Sequence, residues 1–299
     1  MVGYPKFMNR RSLIPLLSLC FATMVFGCAR PEPDASNPTE RKSVNVKGSD
    51  TMVLLGQRWA EIYMQSHPNV TVQVTGGGSG TGIAALINGT TEICQSSRPM
   101  KDEEKESLKQ QRQAETVEIP VALDALAVYV NKDNGVASLT MDQLNKIYLG
   151  EITHWKDVGG KDGNIVLYGR ENNSGTYVYF KEHVLANKDF PAKYQALPGT
   201  AGVINAVTKD PNGIGYGGIG YATDLKTLPI AKDAKSEPIA PTEANVHDNS
   251  YPISRFLFWY TAGQPAGAVK DFSDWVLSPE GQKVITEVGY YPLKASAAQ

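Results

Sequence analysis

The chain has 299 residues, 29 Lys and Arg against 31 Asp and Glu, with 41% hydrophobic and 20% charged residues. That is enough apolar material for a substantial core, which excludes a largely disordered chain, and the near-balanced charge argues against a nucleic-acid partner, whose binders carry a strongly basic face. The 28 glycines and 18 prolines follow no collagen-like period and indicate many tight turns between short elements.

The amino terminus has the pattern of an export address. Lys6, Arg10 and Arg11 precede an uncharged stretch over residues 13–26. It is shorter than the roughly 20 apolar residues of a bilayer-spanning helix, and residues 1–27 read as a secretory signal peptide. Val25-Phe26-Gly27-Cys28 resembles the bacterial lipobox, with Phe26 where a small or aliphatic residue is usual, and implies lipidation of Cys28. Cleavage there removes three basic residues and no acidic one, taking the formal charge from −2 to −5. Cys20 is then lost and Cys28 modified, so Cys94 has no intramolecular partner, and no disulfide framework is expected. With no histidine nearby, Cys94 is expected to pack rather than to react. Residues 28–43 carry Pro31, Pro33 and Pro38 among polar residues and read as a flexible tether.

After the tether, strand and helix alternate. A strand is predicted over residues 44–46 and a helix over 52–66, in which Leu55, Trp59, Ile62, Tyr63 and Ser66 share one face before His67-Pro68 ends it. A β-branched strand over 70–74 leads through a glycine-rich turn into a helix over 81–89. Further on, apolar runs at 119–123 and 126–131 precede a helix at 140–148, a strand at 165–168, helices at 177–185 and 203–209, and a strand at 214–221. The chain closes with a strand at 256–260 and helices at 266–277 and 279–288. This order implies α/β architecture with mostly parallel sheets flanked by helices, in which ligands sit at the carboxyl ends of strands. A body of this size implies two lobes.

Three segments place small polar residues where a strand ends and a helix begins: Gly48-Ser49-Asp50-Thr51-Met52, Gly76-Gly77-Gly78-Ser79-Gly80-Thr81-Gly82 and Arg170-Glu171-Asn172-Asn173-Ser174-Gly175-Thr176. Unpaired N–H groups and the macrodipole make a helix start attractive to an anion, and glycine lets the backbone approach it. Each segment alone reads equally as a helix cap or a plain turn. Gly80-Thr81-Gly82-Ile83-Ala84-Ala85 also fits a loose dinucleotide pattern, but no acidic residue stands at the expected distance. Together the three point to a shared anion pocket. A fourth segment, Ser96-Ser97-Arg98-Pro99, offers Ser97 as a donor, and Arg98 either as an accessory ligand or as the partner of Asp102 or Glu103.

These segments resemble those of the phosphate-binding proteins of bacterial ABC-type phosphate importers, the PstS type, from Val44 to about Lys294. The resemblance also covers Gly89-Thr90-Thr91-Glu92-Ile93, Ile119-Pro120-Val121-Ala122 with Asp124, Gly213-Ile214-Gly215-Tyr216 and Tyr251-Pro252-Ile253-Ser254-Arg255. It implies a two-lobed periplasmic-binding-protein fold of type II whose chain crosses the hinge twice. Lobe 1 is expected to combine residues 44–122 and 247–299, and lobe 2 to hold residues 123–246. Carried over to this sequence, phosphate is held by Ser49, Thr51, the backbone of Met52, Ser79, Gly80 and Ser97, and across the cleft by Arg170, Ser174, Gly175 and Thr176. Some members place an aspartate in the turn written Ser-Asp-x-Pro, where this chain has Ser96-Ser97-Arg98-Pro99. The acceptor for the proton of hydrogen phosphate is therefore expected at Asp50.

The implied protein is a monomeric, lipid-anchored receptor in the periplasm or at the cell surface, with phosphate and the transmembrane subunits of an ABC permease as partners. No cofactor is expected. Another oxyanion such as tungstate or molybdate stays open as the ligand. A phosphate-ester hydrolase is the competing class, but His67, His154, His183 and His247 form no metal-ligand pattern and no G-x-S-x-G elbow is present.

Overall fold

The computed structural model describes residues 41–294. The predicted signal peptide, Cys28 and the tether up to residue 40 lie outside the described residues. In chain order the elements are β1 (Lys42–Gly48), α1 (Val53–Ser66), β2 (Val70–Thr75), α2 (Ser79–Ile87), β3 (Ile93–Ser96), α3 (Asp102–Arg112), β4 (Thr116–Val130), β5 (Leu139–Thr140), α4 (Met141–Tyr148), β6 (Val166–Arg170), α5 (Gly175–His183), β7 (Gln195–Leu197), α6 (Gly199–Lys209), β8 (Gly213–Gly218), β9 (Lys226–Thr227), β10 (Ile230–Ala231), α7 (Glu243–His247), β11 (Ser254–Ala262), α8 (Gly267–Leu277) and α9 (Pro279–Val288). None of the described helices is long and apolar enough to cross a membrane.

The main sheet runs β2-β1-β3-β11-β4-β8-β6-β7, with β9 beside β4, and β10 pairs separately with β5. β1 pairs in parallel with β2 and β3, and β6 pairs in parallel with β7 and β8. Between these parallel groups stand the antiparallel pairs of β4 with β11 and with β8. The two apolar runs expected at 119–123 and 126–131 are one 15-residue strand, β4. Its residues Thr116–Ala125 face β11, and Leu126–Val130 face β8. β4 therefore passes from one half of the sheet to the other without a turn.

Two large cores flank this crossing. One joins Val44, Trp59, Ile93 and Val121 to Leu257, Trp259 and Phe272, so the carboxyl-terminal segment packs back on the first 80 described residues or so. The other draws on Leu126, Tyr148, Phe180, Tyr216 and Ile253. Its aromatic stack places Phe180 3.9 Å from Tyr216 and 4.7 Å from Tyr148, geometry that adds attraction beyond area burial. Cys94 is buried in a smaller cluster with Ile83, Leu86 and Tyr260, and burial pushes its thiol up, as suits a packing residue.

Boundaries differ where hydrogen bonding outweighs sequence pattern. β1 starts at Lys42, since Lys42 and Ser43 pair with Val70 and Thr71. α3 had no apolar stripe to reveal it, for only Leu108 is buried. It is held by end effects instead: acidic residues fill its first turn, Lys109 and Arg112 its last, and Glu104 reaches back to the Lys101 N–H at 2.8 Å.

Candidate anion-binding site

Each polar segment read from the sequence lies at the carboxyl end of a strand: Ser49 after β1, Ser79 after β2, Ser97 after β3, and Arg170 at the end of β6. In a parallel sheet these ends share one edge, so residues 49, 79 and 97 meet although the chain between them is long. The two helix starts that follow face each other. A Cβ placed on Gly175 at the start of α5 would lie 2.3 Å from Ser79 Oγ and 2.9 Å from Ser97 Oγ, which fixes that position as glycine. Gly78, the residue before α2, has φ +88°, a conformation that glycine adopts without strain.

Five hydroxyls converge here and are almost fully buried. Ser49 Oγ donates to Ser97 Oγ at 2.9 Å, and Ser97 Oγ is 3.4 Å from both Ser79 Oγ and Thr176 Oγ1. Thr51 Oγ1 and Thr176 Oγ1 are 2.7 Å apart. Ser174 caps α5, its Oγ accepting from the N–H groups of Thr176 at 3.2 Å and Tyr177 at 3.4 Å. The expected site residues Ser49, Thr51, Ser79, Ser97, Gly175 and Thr176 are thus brought together.

Arg170 is 1% exposed. Its Nη2 donates to Asp50 Oδ2 at 2.6 Å and its Nη1 to Thr200 Oγ1 at 2.9 Å, while Nε is buried with no partner. An unpaired buried donor of a charged group is costly, and an anion beside it would remove that cost. Asp50, expected to take the ligand proton, has both oxygens engaged: Oδ2 by Arg170, and Oδ1 by the Gly77 N–H at 2.7 Å.

Two backbone donors expected from the resemblance are already used. The Met52 N–H donates to the Ser49 carbonyl at 3.1 Å and the Gly80 N–H to the Asn173 carbonyl at 2.9 Å. The first closes the short turn ahead of α1. The second, with Asn173 Nδ2 donating to the Gly77 carbonyl at 3.0 Å, ties the glycine loop to the Arg170 loop. Arg98 points away, forming a two-pronged pair with Glu104 at 2.8 and 2.7 Å. Its partner is therefore neither Asp102 nor Glu103, because Glu104 is the residue the capping turn of α3 presents to it.

A second guanidinium reaches the cluster that the sequence had not assigned to it. Arg255, from β11, holds Asp124 Oδ2 through Nε at 3.0 Å and Nη2 at 2.8 Å, and donates to the Ser97 carbonyl at 2.9 Å and Thr176 Oγ1 at 3.0 Å. Asp124 Oδ1 accepts the Ile219 N–H at 3.0 Å. Burial pushes the Asp124 carboxyl up, against the opposing pull of Arg255 and that N–H. Asp124 and Arg255 lie 131 residues apart, so nothing in local spacing signals the pair. Two arginines and two aspartates leave the site with no net formal charge, so an anion would be held by directed N–H and O–H donors and two helix starts rather than by a positive field. Among the described residues there is no cluster of His, Cys, Asp and Glu able to hold a metal.

A profile of the PBP superfamily domain matches residues 33–280. The chain is 35% identical to the phosphate-binding protein PstS of Pseudomonas aeruginosa strain PAO1 over 315 residues, covering 98% of both chains. It is 32% identical to PstS of Bacillus subtilis, covering 95% of each. The chain belongs to the PstS family. Its structure matches a crystal structure from Clostridium perfringens, assigned as a phosphate ABC transporter substrate-binding protein and holding bound phosphate, with a TM-score of 0.77 at 29% identity, over 85% of this chain and 100% of that one. An ABC-type phosphate transport receptor from Vibrio cholerae matches with a TM-score of 0.67 at 28% identity, over 84% and 100%. The architecture of this PstS-family chain is thus the two-lobed α/β fold of the periplasmic binding proteins.

Proposed function

We propose that this protein is an extracytoplasmic receptor that captures inorganic phosphate between its two lobes and delivers it to the transmembrane subunits of an ABC permease for import. Its relatives are binding proteins, and it is not an enzyme. The observation that carries the reading is a cluster of five buried, mutually hydrogen-bonded hydroxyls, with Arg170, its Nε buried and unpaired, held by Asp50, which stands between Ser49 and Thr51 in the chain.

Phosphate is held by Ser49, Thr51, Ser79 and Ser97 on one side and by Arg170, Ser174, Gly175 and Thr176 on the other. Met52 and Gly80 contribute N–H groups shared with the Ser49 and Asn173 carbonyls. The lobes are residues 44–122 with 247–299, and residues 123–246; two separate cores and the handover of β4 from β11 to β8 favour two lobes, although the handover falls after Ala125 and Tyr251 and Ile253 pack in the second core. The protein is a monomer, exported by residues 1–27, lipidated at Cys28 and held off the membrane by the tether.

Isothermal titration of the chain from residue 29 onward, stripped of anion, tests this. The expected result is tight one-to-one phosphate binding preferred over sulfate and molybdate. A preference for molybdate or tungstate would reassign the ligand within the same cleft, and silence toward every anion from folded protein would overturn the reading.

A further inference from the structure

We infer that Asn173 is a positioning residue whose clasp on the glycine loop across the cleft sets how long bound phosphate is held. The inference rests on the two-lobed phosphate reading above. The hydrogen bonds that join the two proposed lobes fall into groups. Thr51 with Thr176, Ser97 with Thr176 and Asp50 with Arg170 belong to the anion cluster itself. Tyr251 with Leu126 and Arg255 with Asp124 lie beside β4 and β11, where the chain crosses between the lobes. Asn173 belongs to neither group. It is exposed, at the edge of the cleft, and it reaches residues 77–80 from the loop ahead of α5.

The clasp has two bonds and a close backbone fit. Asn173 Nδ2 donates to the Gly77 carbonyl at 3.0 Å, and the Asn173 carbonyl accepts the Gly80 N–H at 2.9 Å. A Cβ on Gly78 would lie 2.6 Å from that carbonyl oxygen, and one on Gly80 3.2 Å from it. The glycines that the sequence offers for close approach to an anion are therefore also the seat of another stretch of backbone. Asn173 directly precedes Ser174, the cap of α5. The clasp thus holds the start of α5 against the start of α2, which brings Gly175 and Thr176 to Ser79 and Ser97. Tyr221 adds a second tie from the same lobe as Asn173, its hydroxyl donating to the Asp50 carbonyl at 2.9 Å.

Bonds of this kind exist while the lobes are together and are absent when they part. An anion first meeting one lobe is indifferent to them, but its escape requires them to break, so they act on koff more than on kon. They ask nothing of the chemistry of the ligand. Any anion on which the cleft closes gains from them by the same factor, because they change the fraction of protein in the closed form rather than a contact with the anion.

The test is stopped-flow and calorimetric titration of the wild-type protein, Asn173→Ala and Tyr221→Phe with phosphate and with arsenate, a tetrahedral anion of like charge. Asn173→Ala should weaken both anions about three- to tenfold and Tyr221→Phe about threefold, each through a rise in koff with kon within about twofold of wild type. The ratio of phosphate to arsenate affinity should stay at its wild-type value. A merely structural role would lower the urea midpoint of the Asn173→Ala protein and leave koff alone, and that result would overturn the inference. A shift in the phosphate-to-arsenate ratio would overturn it too, by making Asn173 a contact of the ligand. Absence of phosphate binding by the wild-type protein would instead refute the function, so the wild-type titration tells the two failures apart.

Discussion

Removing the Arg170 guanidinium is the most demanding test of the anion site. Its side chain is 1% exposed and fixed by Asp50 at 2.6 Å and Thr200 at 2.9 Å, so it meets a ligand without paying rotamer entropy at that moment. Hydrogen bonds involving a charged group contribute about 1.5–3 kcal/mol each, and truncating one member of a buried charged pair costs about 2–5 kcal/mol. For Arg170→Ala a loss of about 3–5 kcal/mol is expected, which is about 10²- to 10⁴-fold in Kd. The Asp50 carboxylate, left without its partner, adds to this by facing the anion. Arg98→Ala is the internal control. Arg98 is also nearly buried, yet its charge is taken up by Glu104 at the start of α3. That variant should unfold at lower urea concentration while binding phosphate within about threefold of wild type. Titration calorimetry gives the affinities and urea denaturation the stabilities. Equal and small losses of affinity in the two variants would refute the assignment of Arg170.

Gly175→Ala should weaken phosphate binding by about tenfold or more with little change in helix stability, because its Cβ would enter the space of Ser79 Oγ and Ser97 Oγ; affinity equal to wild type in a direct titration would show that the helix starts do not close together on the ligand. Arg255→Met should cost about 3–5 kcal/mol of stability at neutral pH by stranding Asp124, a wholly buried carboxylate. The sign with pH follows from the Asp124 carboxyl, already pushed up by burial. A raised folded-state value contributes stability below the unfolded value, and that contribution is lost as pH rises through the folded one. Without Arg255 the folded value rises further, so the deficit relative to wild type should shrink on acidification, and urea midpoints that show a deficit independent of pH would contradict this account.

Much of the site was legible before folding. Ser and Thr beside glycine after a strand already imply helix caps and unpaired N–H groups, and three such segments imply a common anion pocket. The same reasoning found the alternation of strands and helices, because β-branched runs and helical faces leave a periodic trace. Local pattern could not find α3, whose stability comes from its ends, or join the two halves of β4, whose continuity is set by β11 and β8 pairing along it. The partners of charged groups were also hidden. Arg170 takes Asp50 from 120 residues away, and Arg255 takes Asp124 from 131 away. Whether an aspartate accepts a ligand proton or orients an arginine depends on which donors reach its two oxygens. The sequence by itself determined the residue types and helix starts on which an anion can rest. The tertiary structure decided which of these hydroxyls meet and which charged groups pair, because the hydroxyls, carboxylates and guanidinium nitrogens concerned are brought in from distant parts of the chain.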